Sequence, residues 1–151
     1  FFQLYSSVGL FDTHIAVAWR VITAIRRASP AARPERLYGC EVWRDLDWMV
    51  DQEKVAFDLS SHQNLQAALV GVFDSQISGG KRYDLATWGR RKANATYAAS
   101  HGTDQAEFVS YAMDLTPLVT DPSMDPAAFA VAAVERFGGD VAARLARFRP
   151  A

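Results

Sequence analysis

Hydrophobic residues recur along positions 14–28 at the spacing of a helix: Ile15, Ala18, Ile22 and Ile25 form one stripe, which Trp19 and Val21 widen. Arg20, Thr23 and Arg27 fall on the opposite side, so the pattern predicts an amphipathic helix with one wet face. Asp12 stands where an N-cap carboxylate would accept from the first free amides, which leaves His14 in the first turn. "SPAARPER" reads as a proline-punctuated loop. "RLYGCEVW" (36–43) is short, apolar and aromatic, the pattern of a buried strand. After the acidic loop "RDLDWMVDQE", residues 54–60 put Val55, Phe57 and Leu59 on one side, as a half-buried strand does.

Ser60, with Gln63 three residues on, predicts a capping box. The helix it opens runs to about Gln76, with Leu65, Ala68, Leu69, Val72 and Phe73 as its buried stripe, and "SGGKR" breaks it. A third helix is expected from Asp84 to Ser100, then a strand over "AEFVSYAM" (106–113). Asp125-Pro126 predicts the start of a last helix, a cap followed by proline at the first helical position. It runs towards Phe148, with Gly138-Gly139 as a weak point. Strands alternating with helices predict an α/β layer architecture. The order opens on a helix, as though an earlier strand were missing. No internal repeat or low-complexity tract interrupts it.

At 151 residues the chain has the length of a single domain with a real core. A formal net charge of −1 gives no reason to expect nucleic acid or an anionic membrane as partner. No apolar run approaches the ~20 residues that span a bilayer, and "FFQLYSSVGLF" lacks the basic start and cleavage region of a secretory signal. A lone cysteine, Cys40, points to a reducing compartment and hence to the cytoplasm. Its setting in an apolar strand predicts a core thiol rather than a nucleophile. The chain does not open on Met, and it reads as a truncated or processed piece of something longer.

A metal that activates water needs His and carboxylate ligands with one position left open. Three histidines are available, His14, His62 and His101. Asp12 and His14 lie two apart across a loop-to-helix junction and could face one point; a cap and a first-turn residue is the plainer reading. His62, beside two serines, reads as a surface residue, and His101 with Asp104 makes a poor ligand set. "SGGKRYD" lacks the spaced leading glycine and the hydroxyl after lysine that a phosphate loop requires. "GRRK" (89–92) could grip an acidic ligand, although a solvated helix face explains it as well. No G-x-S-x-G elbow supports Ser/His/Asp hydrolysis.

Taken in order, these segments resemble the carboxy-terminal half of LmbE-like (PIG-L) de-N-acetylases. "DTHIAV" resembles the second metal motif of that family, a His-x-Asp-His sequence just before a helix. "KVAFDLSSHQNLQAALVGVFDSQ" looks like its strand-helix unit ending in Ser-Gln. "YGCEVWRDLDW", "GGKRYDLATWGRRKANATY" and "AMDLTPLV" are similar to segments of one bacterial branch. The resemblance covers nearly the whole chain from residue 12 onward. It implies a Rossmann-like layered fold without its amino-terminal portion, residues 1–151 forming one part-domain. It also implies a zinc-dependent hydrolase that removes an N-acetyl group from an N-acetylglucosamine-type conjugate. In such chemistry Zn²⁺ polarises the amide carbonyl and acidifies bound water while an Asp acts as base.

By position, His14 matches the histidine ligand that closes the second motif. Asp12 falls one place off the motif's acid, since Thr13 precedes His14, so a capping or ligand-supporting role is expected of it. The family's first motif, A-H-P-D-D, does not occur in these residues. Phe11 stands where the family has a histidine that stabilises the oxyanion, and losing such a donor costs ~10²–10³ in rate. The chain alone is therefore expected to be inactive. Two alternatives stand beside this reading: a non-catalytic LmbE-like binding or scaffold domain, and a small module binding ligand on Arg90, Arg91 and Lys92. A small amino-sugar conjugate is the expected partner, and exposed apolar surface would favour homo-oligomers.

Overall fold

The computed structural model describes residues 4–5, 12–41, 44–98 and 101–150. Its elements are β1 (Leu4–Tyr5), α1 (Asp12–Arg27), β2 (Tyr38–Cys40), β3 (Val55–Asp58), α2 (Gln63–Gly71), α3 (Asp74–Ser78), α4 (Tyr83–Ala98), β4 (Val109–Asp114), α5 (Thr116–Thr120) and α6 (Pro126–Arg147). The fold is mixed α/β. Two compact units divide the chain: Phe1–Val55 with Ala112–Ala151, and Ala56–Tyr111.

In the first unit, β1 pairs in parallel with β2, Leu4 opposite Gly39 and Tyr5 opposite Cys40. The described chain thus opens on a strand, not on the helix expected from the pattern. Two residues are too few for any periodicity to announce; only the pairing makes them a strand. On its other side β2 pairs antiparallel with β4, Tyr38 opposite Asp114 and Gly39 opposite Met113. The strand expected over 36–43 is therefore only three residues long among the described positions. Beyond it the Leu37 carbonyl accepts from the Leu115 amide at 2.8 Å, and the Leu37 amide donates to Thr116 Oγ1 at 3.1 Å.

α1 turns Ile22 fully inward and leaves Ala18, Val21 and Ile25 half-buried. Trp19 and Ile15 do not join that buried stripe; both are exposed. Arg26, between the two faces, reaches across to α5 and the turn after it. Its Nε donates to the Leu118 carbonyl at 2.5 Å and its Nη2 to the Met124 carbonyl at 2.6 Å. Arg33 closes the other end of the helix, donating to the carbonyls of Ala28 and Arg26. Leu37, Leu46, Leu118 and Val119 are the largest fully buried side chains among the described residues. α6 begins as its sequence predicts, with the Asp125 carboxylate accepting from the Ala128 amide at 3.0 Å and Pro126 following. It does not break at Gly138-Gly139 but continues to Arg147.

β3, whose last three residues open the second unit, alternates as expected, with Val55 and Phe57 the more buried. The predicted capping box does not form. Residues Ser60–His62 make a single 3₁₀ turn, and α2 begins only at Gln63. Ser60 donates to the Asp58 carboxylate and accepts from the Glu107 amide at 2.8 Å, while Gln63 Nε2 donates to Glu107 Oε2 at 2.7 Å. Both capping partners are thus drawn away to a loop distant in sequence. The single helix expected to Gln76 is two, α2 and α3, and its apolar stripe faces outward: Leu65, Leu69, Val72 and Phe73 are all more than half exposed. Gln66 is the buried residue of α2 instead, donating to the Leu59 carbonyl and accepting from Arg91. After α3, a Cβ on Gly79 would lie 2.7 Å from the Ser75 carbonyl oxygen and Gly80 has φ +120°, so "SGGKR" must be glycine to turn. The small core of this unit gathers Ala95, Phe108 and Val109, with Trp88 edge-on to Phe108 at 4.8 Å.

Candidate functional site

Parallel strands joined through a helix leave the sheet at one common edge, where open α/β sheets hold their ligands. β1 and β2 are such a pair, with α1 between them in sequence. His14 lies in the first turn of α1, half-buried. Asp12 is the first residue of that helix rather than the residue ahead of it. Phe11 lies outside the described residues.

The next residue after β2 at that edge is Glu41, a site that the sequence reading passed over. It is 3% exposed, and its Oε2 accepts from Trp48 Nε1 at 2.9 Å while Oε1 is buried with no hydrogen-bond partner among the described residues. Burial pushes the carboxyl above its ordinary value of 4.5, against the opposing pull of the Trp48 hydrogen bond and of Arg44; Asp47 adds to the rise. A carboxyl so held keeps its proton to higher pH than a solvated one, as groups that give or take protons do. The loop that seats it is strained: Asp45 and Leu46 have φ of 51° and 62°, conformations that cost non-glycine residues about 1–3 kcal/mol each. Full burial of Leu46 and two backbone bonds, Asp47 to Arg44 and Met49 to Leu46, hold the turn closed. The one trace in the sequence was an acid inside an apolar run, "LYGCEVW".

Because the folded state binds the Glu41 proton more tightly than the unfolded chain, the sign of its pH effect follows. Its contribution is fully present below about the ordinary glutamate value and is lost as pH rises through the raised folded value. Glu41→Gln keeps an acceptor for Trp48 and removes the charge. Urea midpoints of wild type should therefore fall relative to Glu41→Gln as pH rises from acid to neutral. Parallel midpoints across that range would show that Glu41 titrates like a solvated acid.

Zinc is not accommodated by these residues alone. Among the described residues no group of three His, Cys, Asp or Glu side chains could hold a metal ion. His62 is exposed at the start of α2, and His101 is exposed in the loop after α4. Asp104 accepts instead from Thr96. Cys40 is half-buried in β2.

The second unit carries an open cleft of about 620 Å³, lined by Ser60, Lys92, Thr96, Asp104 and Glu107 among others. Lys92 lies 5.5 Å from the centre of the Phe108 ring. Ser60 spends its hydroxyl on Asp58 and two backbone amides, which suits a brace between loops and not a nucleophile. The run Arg90, Arg91 and Lys92 does not form one basic face, since successive helical residues diverge by ~100°. Arg91 turns to Gln66 and Lys92 to Phe108. Among the described residues no helix is long and apolar enough to cross a membrane. No family model matches the chain, nor does any curated protein or solved structure.

Proposed function

We propose that this chain is the carboxy-terminal part of an LmbE-like, Rossmann-like zinc hydrolase that removes the N-acetyl group of an N-acetylglucosamine-type conjugate in the cytoplasm. In this reading His14 is one zinc ligand, Asp12 supports the site from the same helix end, and the remaining ligands come from outside the described residues. One observation carries the reading beyond the sequence resemblance: His14 opens the helix that links two parallel strands, at the edge where such sheets bind ligands. Glu41 follows the second of those strands, so a proton-retaining carboxyl belongs to the same edge.

The test uses the natural gene product that contains these residues, loaded with zinc and offered an N-acetylglucosamine conjugate. His14→Ala should lose bound zinc on dialysis against trace metal and at least about a hundredfold in kcat/KM. Unchanged zinc content and unchanged hydrolysis in the variant would overturn the assignment. Phe11 favours a second reading, a relative that binds without catalysing, because a phenyl ring offers no donor to an oxyanion. Zinc that depends on His14, in a protein with no deacetylase activity, would decide for that reading.

A further inference from the structure

The cleft of the second unit is lined by charges that do not neutralise one another. Lys92 and Thr96 of α4 stand four residues apart and so share one face of the helix. Asp104 and Glu107 come from the loop before β4. Asp104 accepts from the Thr96 hydroxyl at 3.3 Å, and Glu107 accepts from the Gln63 side-chain amide at 2.7 Å. Both donors are neutral, and each bond uses one oxygen of its carboxylate. Lys92 holds its ammonium 5.5 Å from the centre of the Phe108 ring. Among the described residues Lys92 forms no ion pair, and neither Asp104 nor Glu107 meets a cation.

Elsewhere on the surface opposite charges close on each other: Arg82 on Asp84, Arg136 on Glu53 and Arg144 on Asp140. In the cleft they are held apart. Phe108 is 4% exposed, and the amides of Glu107 and Phe108 both donate to Ser60 Oγ, at 2.8 and 3.3 Å. The Leu59 amide donates to the Phe108 carbonyl at 2.8 Å. These bonds fix the backbone that carries Glu107 and the ring over which Lys92 lies.

A volume of about 620 Å³ is that of a site for a small molecule, and the charges around it select among ligands. An inorganic anion meets one attraction and two repulsions. An amine without an acid group leaves Lys92 unmet. We propose that the cleft binds a small zwitterion of the amino-acid type, its carboxylate on Lys92 and its ammonium on Asp104 and Glu107. Every lining residue lies within the second unit, so the site stands independently of the zinc reading.

The test is an NMR titration of the 151-residue chain, read at the backbone amides of Lys92, Thr96, Asp104 and Glu107. The probes are straight-chain amino acids from glycine to aminohexanoate, with butyrate and butylamine as single-charge controls. The best-fitting zwitterion should bind with a Kd on the order of 1 mM and at least about tenfold tighter than either control. Lys92 is exposed, so its variants should keep the wild-type spectrum away from the cleft. Lys92→Gln should bring the zwitterion down to the affinity of butylamine. Lys92→Glu should reverse the preference, taking a straight-chain diamine more tightly than any of the amino acids. No shift at these amides with any probe up to about 50 mM overturns the proposal. So does a zwitterion that binds no tighter than butylamine, or a Lys92→Gln variant that keeps the wild-type affinity.

Discussion

Leu118→Ala is expected to lower the free energy of unfolding by about 3–4 kcal/mol, read as a fall in urea midpoint at unchanged m-value. Leu118 is 2% exposed and stands on α5, a helix of five residues that cannot hold itself together. Its neighbours are bound by backbone: β4 and the Leu115 amide on Leu37 fix one side, and Arg26 fixes the other. The site therefore cannot collapse to fill the space of the lost isobutyl group, which puts the cost above bare transfer. A loss under about 1 kcal/mol would mean that α5 re-packs freely around the missing side chain.

Arg26→Ala is expected to cost about 2–3 kcal/mol, because it strands partly buried carbonyls of Leu118 and Met124 that a charged donor now serves. Arg26→Lys should recover less than half. A single ammonium cannot reproduce a planar fork that serves two carbonyls six residues apart in sequence. Since Arg26 and Leu118 fix the same short helix, their losses should not add in the double variant. Full recovery by lysine would show that charge, not the fork, holds α1 to α5.

How much of this was legible in the residues themselves follows from the range of the interactions. α1, β3 and the cap of α6 are written locally, in periods and in Asp125-Pro126, and the structure forms all three, although Ile15 and Trp19 of the α1 stripe stay exposed. Ser60 and Gln63 also satisfied a local rule, yet Asp58 and Glu107 offer them nearer partners, and one of these is more than forty residues away in sequence. The α2 stripe shows the complementary limit. Periodicity locates an apolar face, but whether anything covers it depends on the rest of the fold. β1 exists only by pairing with β2. His14 was singled out by its place before an apolar helix. Glu41 was not, because its burial depends on Trp48 returning over it through two left-handed residues that no pattern announced.

The first unit is assembled from both ends of the chain, whereas the second is one uninterrupted stretch, and this orders events during synthesis. Leu37 meets Thr116 across 79 positions, and Arg26 meets Leu118 across 92. At ribosomal speeds of about 5–20 residues per second, the first of these contacts waits roughly 4–16 s after Leu37 is made. Throughout that interval Leu37 lacks Leu115 and Thr116, and Arg26 lacks Leu118 and Met124, while all residues of the second unit, Ala56 to Tyr111, are already in the chain. Over this span the first unit is therefore incomplete until the residues after Tyr111 have been made. A chain ending near Tyr111 would hold all of the second unit and only part of the first.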